Sequence, residues 1–330
     1  MRRKIIHSAE NIYHLYLKTL DGRLLFYTRS DYLVFYTIFS TTASTTNLQI
    51  LGLCLMFDHI HILVRCPGDF SELKRFVRLF TSRYTTHYNT VAGITGRLFN
   101  SPIGIAPKCG NKLVRTAIAY LYNNPVERKL CRRAEDFRWN FLAYASSHDP
   151  FSINNNSRQT SIHLKKAFRL IDWFNSRQTP LTHNFLQNLS LKLSQKEMEC
   201  ITDYIIATYS PINYKELVSY YGSYDNMLLA INSNTGSEYD IREDFVAISD
   251  KPYIHMAKIA ASTGSCSTPN KVLRLTTDEK IDLVKVFLWK ASASVRQIGK
   301  FLGIKITHNT GFLSHFDCET DVTGNQSLTF

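Results

Sequence analysis

The chain reads as an α+β protein. An N-terminal half alternates in the order strand, helix, strand, strand, helix, and a mostly helical C-terminal region follows. Three observations carry this. Residues 11–20 alternate with the two-residue period of a strand. Residues 51–66, LGLCLMFDHIHILVRC, form a nearly unbroken apolar run interrupted by Asp58. Apolar residues at 73, 76, 77, 80 and 84 repeat at helical spacing.

Taken in order, Asp21-Gly22 after the first strand is a turn signal leading into residues 23–27. Ser30 precedes DYLVFYTIF and is expected to cap a helix running to about Ser40. The polar run 41–47 separates it from two short strands, 48–56 and 59–65, joined by a tight turn. His59 and His61 then lie on a central, mostly buried strand. Ser71 sits ahead of the helix ELKRFVRLFTSRYTTHYN, whose outer face carries Lys74, Arg75, Arg78 and Arg83. Residues 94–110 are Gly- and Pro-rich, a loop with a short strand near 103–105, and Lys108, Lys112 and Arg115 lie near its end. NKLVRTAIAYLYNNPVERKL is helical in composition until Asn123-Asn124-Pro125 stops it. The aromatic-rich segment EDFRWNFLAY within 131–150 packs the closing end of this first domain, residues 1–150. Residues 151–192 are polar, with one apolar patch at 170–174, and read as a partly helical linker. Residues 193–330 read as a helical accessory domain. Near 276–304 the pattern is that of the first two helices of a helix-turn-helix, but KITHNTGFLSHFD beyond it is a poor former of the third.

The formal net charge is +12 over 330 residues, and it is unevenly spread. Residues 1–150 hold 20 Lys and Arg against 10 Asp and Glu, whereas residues 151–330 hold 19 against 17. A basic half that also carries core-forming apolar residues points to a folded domain binding a polyanion, nucleic acid first and a membrane surface second. The exposed cations at 74, 75, 78 and 83 suit a phosphate backbone. Seven scattered cysteines without a C-x-x-C pair argue against a disulfide scaffold or a zinc ribbon, and for a reducing compartment. No apolar run reaches the roughly 18 residues of a membrane span, and the N-terminus lacks a secretory h-region. A soluble cytoplasmic protein is the expectation.

The chemistry gathers around His59 and His61. On a strand, residues i and i+2 face the same way, so both imidazoles project together and make half of a metal site. An isolated His-x-His is more often an inert, hydrogen-bonded pair on a strand. Tyr120 and Asn124, four apart in AYLYNNPV, share one face of a helix. If that helix packs on the strand, a phenol, two imidazoles and a carboxamide oxygen converge. A tyrosyl oxygen can attack a phosphodiester, forming a phosphotyrosine and freeing a sugar hydroxyl. A divalent cation held by imidazoles and an amide oxygen would stabilise the developing charge. This donor set suits Mg²⁺ or Mn²⁺, whereas structural zinc prefers four closed ligands.

His59-Ile60-His61 resembles the His–hydrophobic–His motif of the single-tyrosine HUH transposases of small insertion sequences, and most closely the REP-associated tyrosine transposases. The strand reads Met56-Phe57-Asp58-His59-Ile60-His61-Ile62-Leu63-Val64 where that group has Met-Pro-Asn-His-Val-His and an apolar continuation. Its tyrosine motif, Tyr-Ile-x-x-Asn-Pro-Val-Arg, appears as Tyr120-Leu121-Tyr122-Asn123-Asn124-Pro125-Val126-Glu127-Arg128. A Glu-Asp-aromatic-x-Trp signature appears as Glu135-Asp136-Phe137-Arg138-Trp139. The resemblance covers about residues 1–150. It implies a ferredoxin-like antiparallel sheet and a metal-dependent endonuclease and strand transferase acting beside hairpins in single-stranded DNA, as monomer or homodimer. Tyr120 would be the nucleophile, forming a 5′-phosphotyrosine. His59, His61 and Asn124 would hold the metal. Asp58 replaces the usual Asn, Phe57 the usual Pro, and Glu127 intervenes before Arg128.

Tyr122 and Tyr84 compete for the role of Tyr120, but only Tyr120 has an amide one turn on. His14, His87, His148 and His163 have no comparable company and are expected at the surface or in the core. Asp58 is a further candidate ligand, although adjacent strand residues face opposite ways. A hairpin-DNA-binding regulator that keeps the fold without the chemistry is the alternative reading, and a phosphodiesterase using activated water is a third.

Overall fold

The structure is a computed structural model and describes residues 11–152, 161–233, 249–263, 269–304 and 306. Four strands, β1 (Ile12–Lys18), β2 (Gln49–Leu55), β3 (His59–Arg65) and β4 (Gly104–Lys108), form one antiparallel sheet in the order β2-β3-β1-β4. With α1 (Arg29–Ala43) between β1 and β2, and α2 (Phe70–Ala92) between β3 and β4, this is the ferredoxin-like arrangement.

Strand alternation divides the molecule into two layers. Leu15 and Leu17 of β1 and Ile60, Ile62 and Val64 of β3 are buried in the cluster that includes α1 and α2. Ile12 and Leu63 belong to a second cluster, with Val114, Ile118 and Leu121 of α3 (Gly110–Glu127). The two helices that follow the sheet's inner strands thus lie on one face and α3 on the other.

Local chemistry explains several boundaries. α1 is capped by Thr28, not by Ser30. Asp31 at the third helical position completes a capping box, accepting from the Thr28 backbone N–H at 2.7 Å and its hydroxyl at 2.9 Å. Likewise α2 starts at Phe70 behind Asp69 and ends on Gly93 at φ 64°, a left-handed position that glycine adopts without strain. Pro125 does not stop α3, which runs to Glu127. Proline removes only one helical hydrogen bond so near the end, and Pro125 is buried against neighbours that hold the last turn. β4 starts one residue and ends three residues later than 103–105, because its pairing with β1 runs to Ile12 opposite Lys108.

Residues 161–192 carry α4 (Ile162–Ser176) and α5 (His183–Ser190). Leu164, Ala167, Ile171, Leu181, Leu186 and Leu189 are buried in the same cluster as α1. With α6 (Gln195–Thr208) they cover the outer side of α1, which is why every residue of α1 from Asp31 to Ala43 is buried. The backbone N–H of Leu181 donates to Thr37 Oγ1 at 3.0 Å, and Tyr36 Oη donates to the Ile206 carbonyl at 3.0 Å. A stretch whose composition suggests a linker is therefore folded onto the first core. The helices α7 (Tyr214–Ser219) and α8 (Tyr224–Ser233) join α3 through Leu217, Met227 and Ile231. Residues 131–150 close the sheet's end with short 3₁₀ turns between Ala134 and Ala145.

The last described helices are α9 (Lys251–Ser262), α10 (Thr277–Lys290) and α11 (Val295–Leu302). α10 and α11 are the two helices expected near 276–304. The KITHNTGFLSHFD segment, apart from residue 306, lies outside the described residues.

The α1–α2 contact is aromatic, with Phe80 fully buried and its ring 5.4 Å from that of Phe39 and 6.1 Å from that of Phe35. Phe80→Ala is expected to lower the unfolding free energy by about 3–5 kcal/mol, read from urea denaturation. A loss below about 1 kcal/mol would mean that the helix pair contributes little to cooperative stability.

Candidate active site

Pairing of β1 with β3 sets the site. Tyr16 lies opposite His61 and Lys18 opposite His59, so these four side chains and His14 face the α3 side of the sheet. The sheet side is mostly closed: His14, His59 and His61 are buried, Tyr16 is half-buried and Lys18 is exposed.

α3 supplies the opposite wall. The Asn124 carboxamide lies between the two imidazoles. Its Oδ1 is 3.1 Å from His59 Nε2, and its Nδ2 is 3.1 Å from His61 Nε2. One turn earlier the Tyr120 ring stands edge-on to His61, 5.3 Å between centroids, and to His14 at 5.8 Å. Tyr120 is 2% exposed. The phenol, the carboxamide and both imidazoles are brought to one place.

The remaining ring nitrogens assign the tautomers. Asn124 Nδ2 donates to His61 Nε2, which leaves His61 Nδ1–H to donate to His14 Nε2 at 3.1 Å. His59 Nδ1–H donates to Asp58 Oδ1 at 2.7 Å. In a neutral ring His59 Nε2 then carries a lone pair, yet it faces the lone pairs of Asn124 Oδ1. At 3.1 Å the contact is closed by a proton on Nε2, as a hydrogen bond, or by a cation that both atoms ligate. Two imidazole Nε2 atoms, one at each end of the Asn124 carboxamide, and its amide oxygen are a donor set that could hold a divalent cation. Among the described residues no group of three or more His, Cys, Asp or Glu could hold a metal ion, so such a site needs the carboxamide as its third ligand.

Burial drives the electrostatics. It pushes His61 well below the ordinary histidine value, with His59 and His14 adding to the effect. His14 is lowered to about 3 by burial and by Lys108. Burial pushes the Asp58 carboxyl up, but His59 and Lys300 outweigh it and hold the group below the usual carboxylate range. The Asp250 carboxyl, at the start of α9, is raised to about 6 by burial against the opposing pull of Arg128.

His14 has the company that its isolated position in the chain concealed. The signal was the alternation of IYHLYLK, which puts His14, Tyr16 and Lys18 on one face. Tyr16 stacks on His61 at 4.9 Å, and Lys18 Nζ lies 4.8 Å from the Tyr16 centroid. His87 also has a partner: its Nε2 is 2.6 Å from His183 Nδ1, and His183 Nε2 is 2.7 Å from Asp31 Oδ1. That chain ties α1, α2 and α5 together on the far layer. His148 and His163 are exposed. Asp58 sits beside the site through the His59 ring.

The competing tyrosines lie elsewhere. Tyr84 Oη donates to the Leu25 carbonyl at 2.9 Å in the α1–α2 layer. Tyr122 packs beside Gly52 in the α3 cluster, and its buried hydroxyl has no hydrogen-bond partner among the described residues. The basic residues divide. Lys74, Arg75, Arg78 and Arg83 are exposed on α2, across the sheet from the histidines, and Arg83 Nη1 donates to Thr42 Oγ1 at 3.1 Å. Lys108 on β4 and the exposed Lys112 and Arg115 on α3 lie on the histidine side, with the Arg115 guanidinium 4.9 Å from the Tyr221 ring centroid.

Residues 8–99 match the family model described as transposase, IS200 like. The match takes in β1 through α2 with both histidines of the pair and ends before β4 and α3. A solved structure of the REP-associated tyrosine transposase bound to a REP hairpin is similar over 49% of this chain and 93% of its own, with 14% identity and a TM-score of 0.38. No curated protein matches. No helix among the described residues is long and apolar enough to cross a membrane.

A buried neutral His14 makes stability depend on pH. Below the ordinary value of 6.5 the unfolded chain takes up a proton that the native state refuses until about pH 3. The stabilisation is present above 6.5 and is lost as pH falls through that window. His14→Asn is expected to flatten the acid limb by up to about 1.4 kcal/mol per pH unit in urea unfolding curves. Parallel limbs in the two proteins would show that native His14 is already protonated.

Proposed function

We propose, from the likeness of residues 8–99 to IS200-like transposases and from the meeting of Tyr120, Asn124, His59 and His61, that this chain is a metal-dependent DNA endonuclease and strand transferase. Its substrate is single-stranded DNA carrying hairpins. The observation that carries the reading is the Asn124 carboxamide within 3.1 Å of both imidazoles, one helical turn from Tyr120.

The Tyr120 oxygen attacks the scissile phosphorus. The phenol gives up its proton as its O–P bond forms, the P–O3′ bond breaks, and the departing O3′ takes up one proton, so that the strand leaves with a 3′-hydroxyl. The 5′ side remains as a phosphotyrosine, whose energy is conserved for attack by another 3′-hydroxyl. His59, His61 and Asn124 would hold Mg²⁺ or Mn²⁺, which supplies charge stabilisation to the phosphate oxygens when bound. Asp58 orients the His59 ring and His14 the His61 ring, each from the nitrogen turned away from the metal position. Lys18 and Tyr16 lie at the more exposed margin of the cluster, where a cation and an aromatic face suit a phosphate and a base. Lys108, Lys112 and Arg115 extend positive charge on the same side. The exposed cations of α2 lie on the other layer and would meet a more distant part of the DNA.

The near-complete burial of Tyr120 supports a second reading, a hairpin-binding regulator that performs no chemistry. The two differ in one product. Incubated with hairpin-bearing single-stranded DNA and Mn²⁺, the protein is expected to give a covalent adduct stable in SDS. Tyr120→Phe should abolish the adduct while hairpin binding in a gel shift stays within about twofold, and Tyr122→Phe should keep it. An adduct that survives Tyr120→Phe removes that residue as nucleophile. Hairpin binding without cleavage under any metal selects the regulator, and cleavage without an adduct selects a water-using phosphodiesterase.

A further inference from the structure

Helix α11 reaches back to the histidine cluster from the other end of the described chain. Lys300 Nζ lies 2.5 Å from Asp58 Oδ2, while Asp58 Oδ1 accepts the His59 Nδ1–H at 2.7 Å. One carboxylate is shared between an ammonium and an imidazole, one oxygen to each. The side chains of Lys300 and Asp58 are 25% and 15% exposed, so the pair is partly shielded from water and salt.

Lys300 is carried there by packing that does not involve its charge. Ile298, Phe301 and Leu302 are fully buried. Tyr27 Oη donates to the Phe301 carbonyl at 2.9 Å, and Gln297 Nε2 donates to the Ser249 carbonyl at 2.7 Å. Gly303 ends the helix at φ 64°. The lysine stem then runs beside Gly22, in the turn after β1. Asp58 itself sits in the short connection between β2 and β3, where its side chain has several staggered rotamers open to it. Holding Oδ2 selects the one that leaves Oδ1 at His59.

We propose that Lys300 is a positioning residue for the His59 arm of the metal site, which makes helix α11 a working part of the N-terminal site. Anchored by Lys300, Asp58 fixes the angle at which the His59 Nε2 lone pair meets Asn124. Without the ammonium, Asp58 is free to turn toward water and the ring loses its orientation. The assignment deepens the metal-dependent reading of the cluster and rests on it.

The test uses the full chain with Lys300→Met, which keeps the stem and removes the charge, and Lys300→Arg, which keeps both. Mn²⁺ uptake is followed by calorimetry in the absence of DNA, and the His59 Nδ1–H resonance by proton–nitrogen NMR. Lys300→Met is expected to weaken Mn²⁺ binding by about tenfold or more and to shift or broaden the His59 Nδ1–H signal. Lys300→Arg should restore most of both, and circular dichroism should be the same in all three proteins. Mn²⁺ affinity within about twofold of the parent, with an unchanged His59 signal, overturns the assignment. Should the parent protein itself bind no Mn²⁺, the metal-dependent reading fails. The His59 resonance alone then decides whether Lys300 positions the ring, and an unchanged signal in Lys300→Met rejects it. If Lys300→Met does not fold, Lys300→Gln replaces it, and Mn²⁺ affinity within about twofold of the parent with an unchanged His59 Nδ1–H signal overturns the assignment there too.

Discussion

The antiparallel register of β1 on β3 is the constraint on which the rest depends. Pairing Tyr16 with His61 and Lys18 with His59 puts His14, Tyr16, Lys18, His59 and His61 on one face and Leu15, Leu17, Ile60, Ile62 and Val64 on the other. A slip by one residue would turn the histidines into the α1–α2 core and leucines toward α3. Leu15, Leu17, Ile60 and Ile62, all fully buried or nearly so, set the cost of such a slip. Ordinary core burial therefore fixes the geometry of the site.

A buried polar cluster is stable only if its members satisfy one another. Here the bonds run in one line, from Lys300 through Asp58 to His59, across the Asn124 carboxamide to His61, and on to His14. The link between His59 Nε2 and Asn124 Oδ1 differs from the others, because it closes only with a proton or a cation between the two atoms. The same line joins elements far apart in the chain, since β1, β3, α3 and α11 each contribute to it.

The helices after residue 160 are integrated with the sheet. α4, α5 and α6 cover α1, which is buried from Asp31 to Ala43, and α7 and α8 complete the cluster under α3. A second polar line, His87 to His183 to Asp31, fastens α2 and α5 to the start of α1. Asp31 also caps its own helix and accepts from Asn270 Nδ2 at 3.2 Å, so one carboxylate locks three segments.

Much of this was legible in the linear chain. Two-residue alternation marked β1, an apolar run broken at Asp58 marked β2 and β3, helical spacing marked α2, and four-residue spacing placed Tyr120 and Asn124 on one face of α3. These are local periodicities, and local periodicity follows from backbone geometry alone. What the chain could not announce is which distant residues meet. His14 looked solitary because its partner is 47 residues away and is reached only through strand pairing. Lys300 is 242 residues from Asp58, and nothing near either one marks the contact. The stretch from 161 to 192 passed for a linker because its few apolar side chains are diluted by polar ones, and their value lies in what α1 lacks. Sequence determined the elements and the faces they present, since those depend on neighbours along the backbone. Tertiary structure decided which faces close on one another, since that depends on burying every apolar surface and satisfying every buried polar group at once.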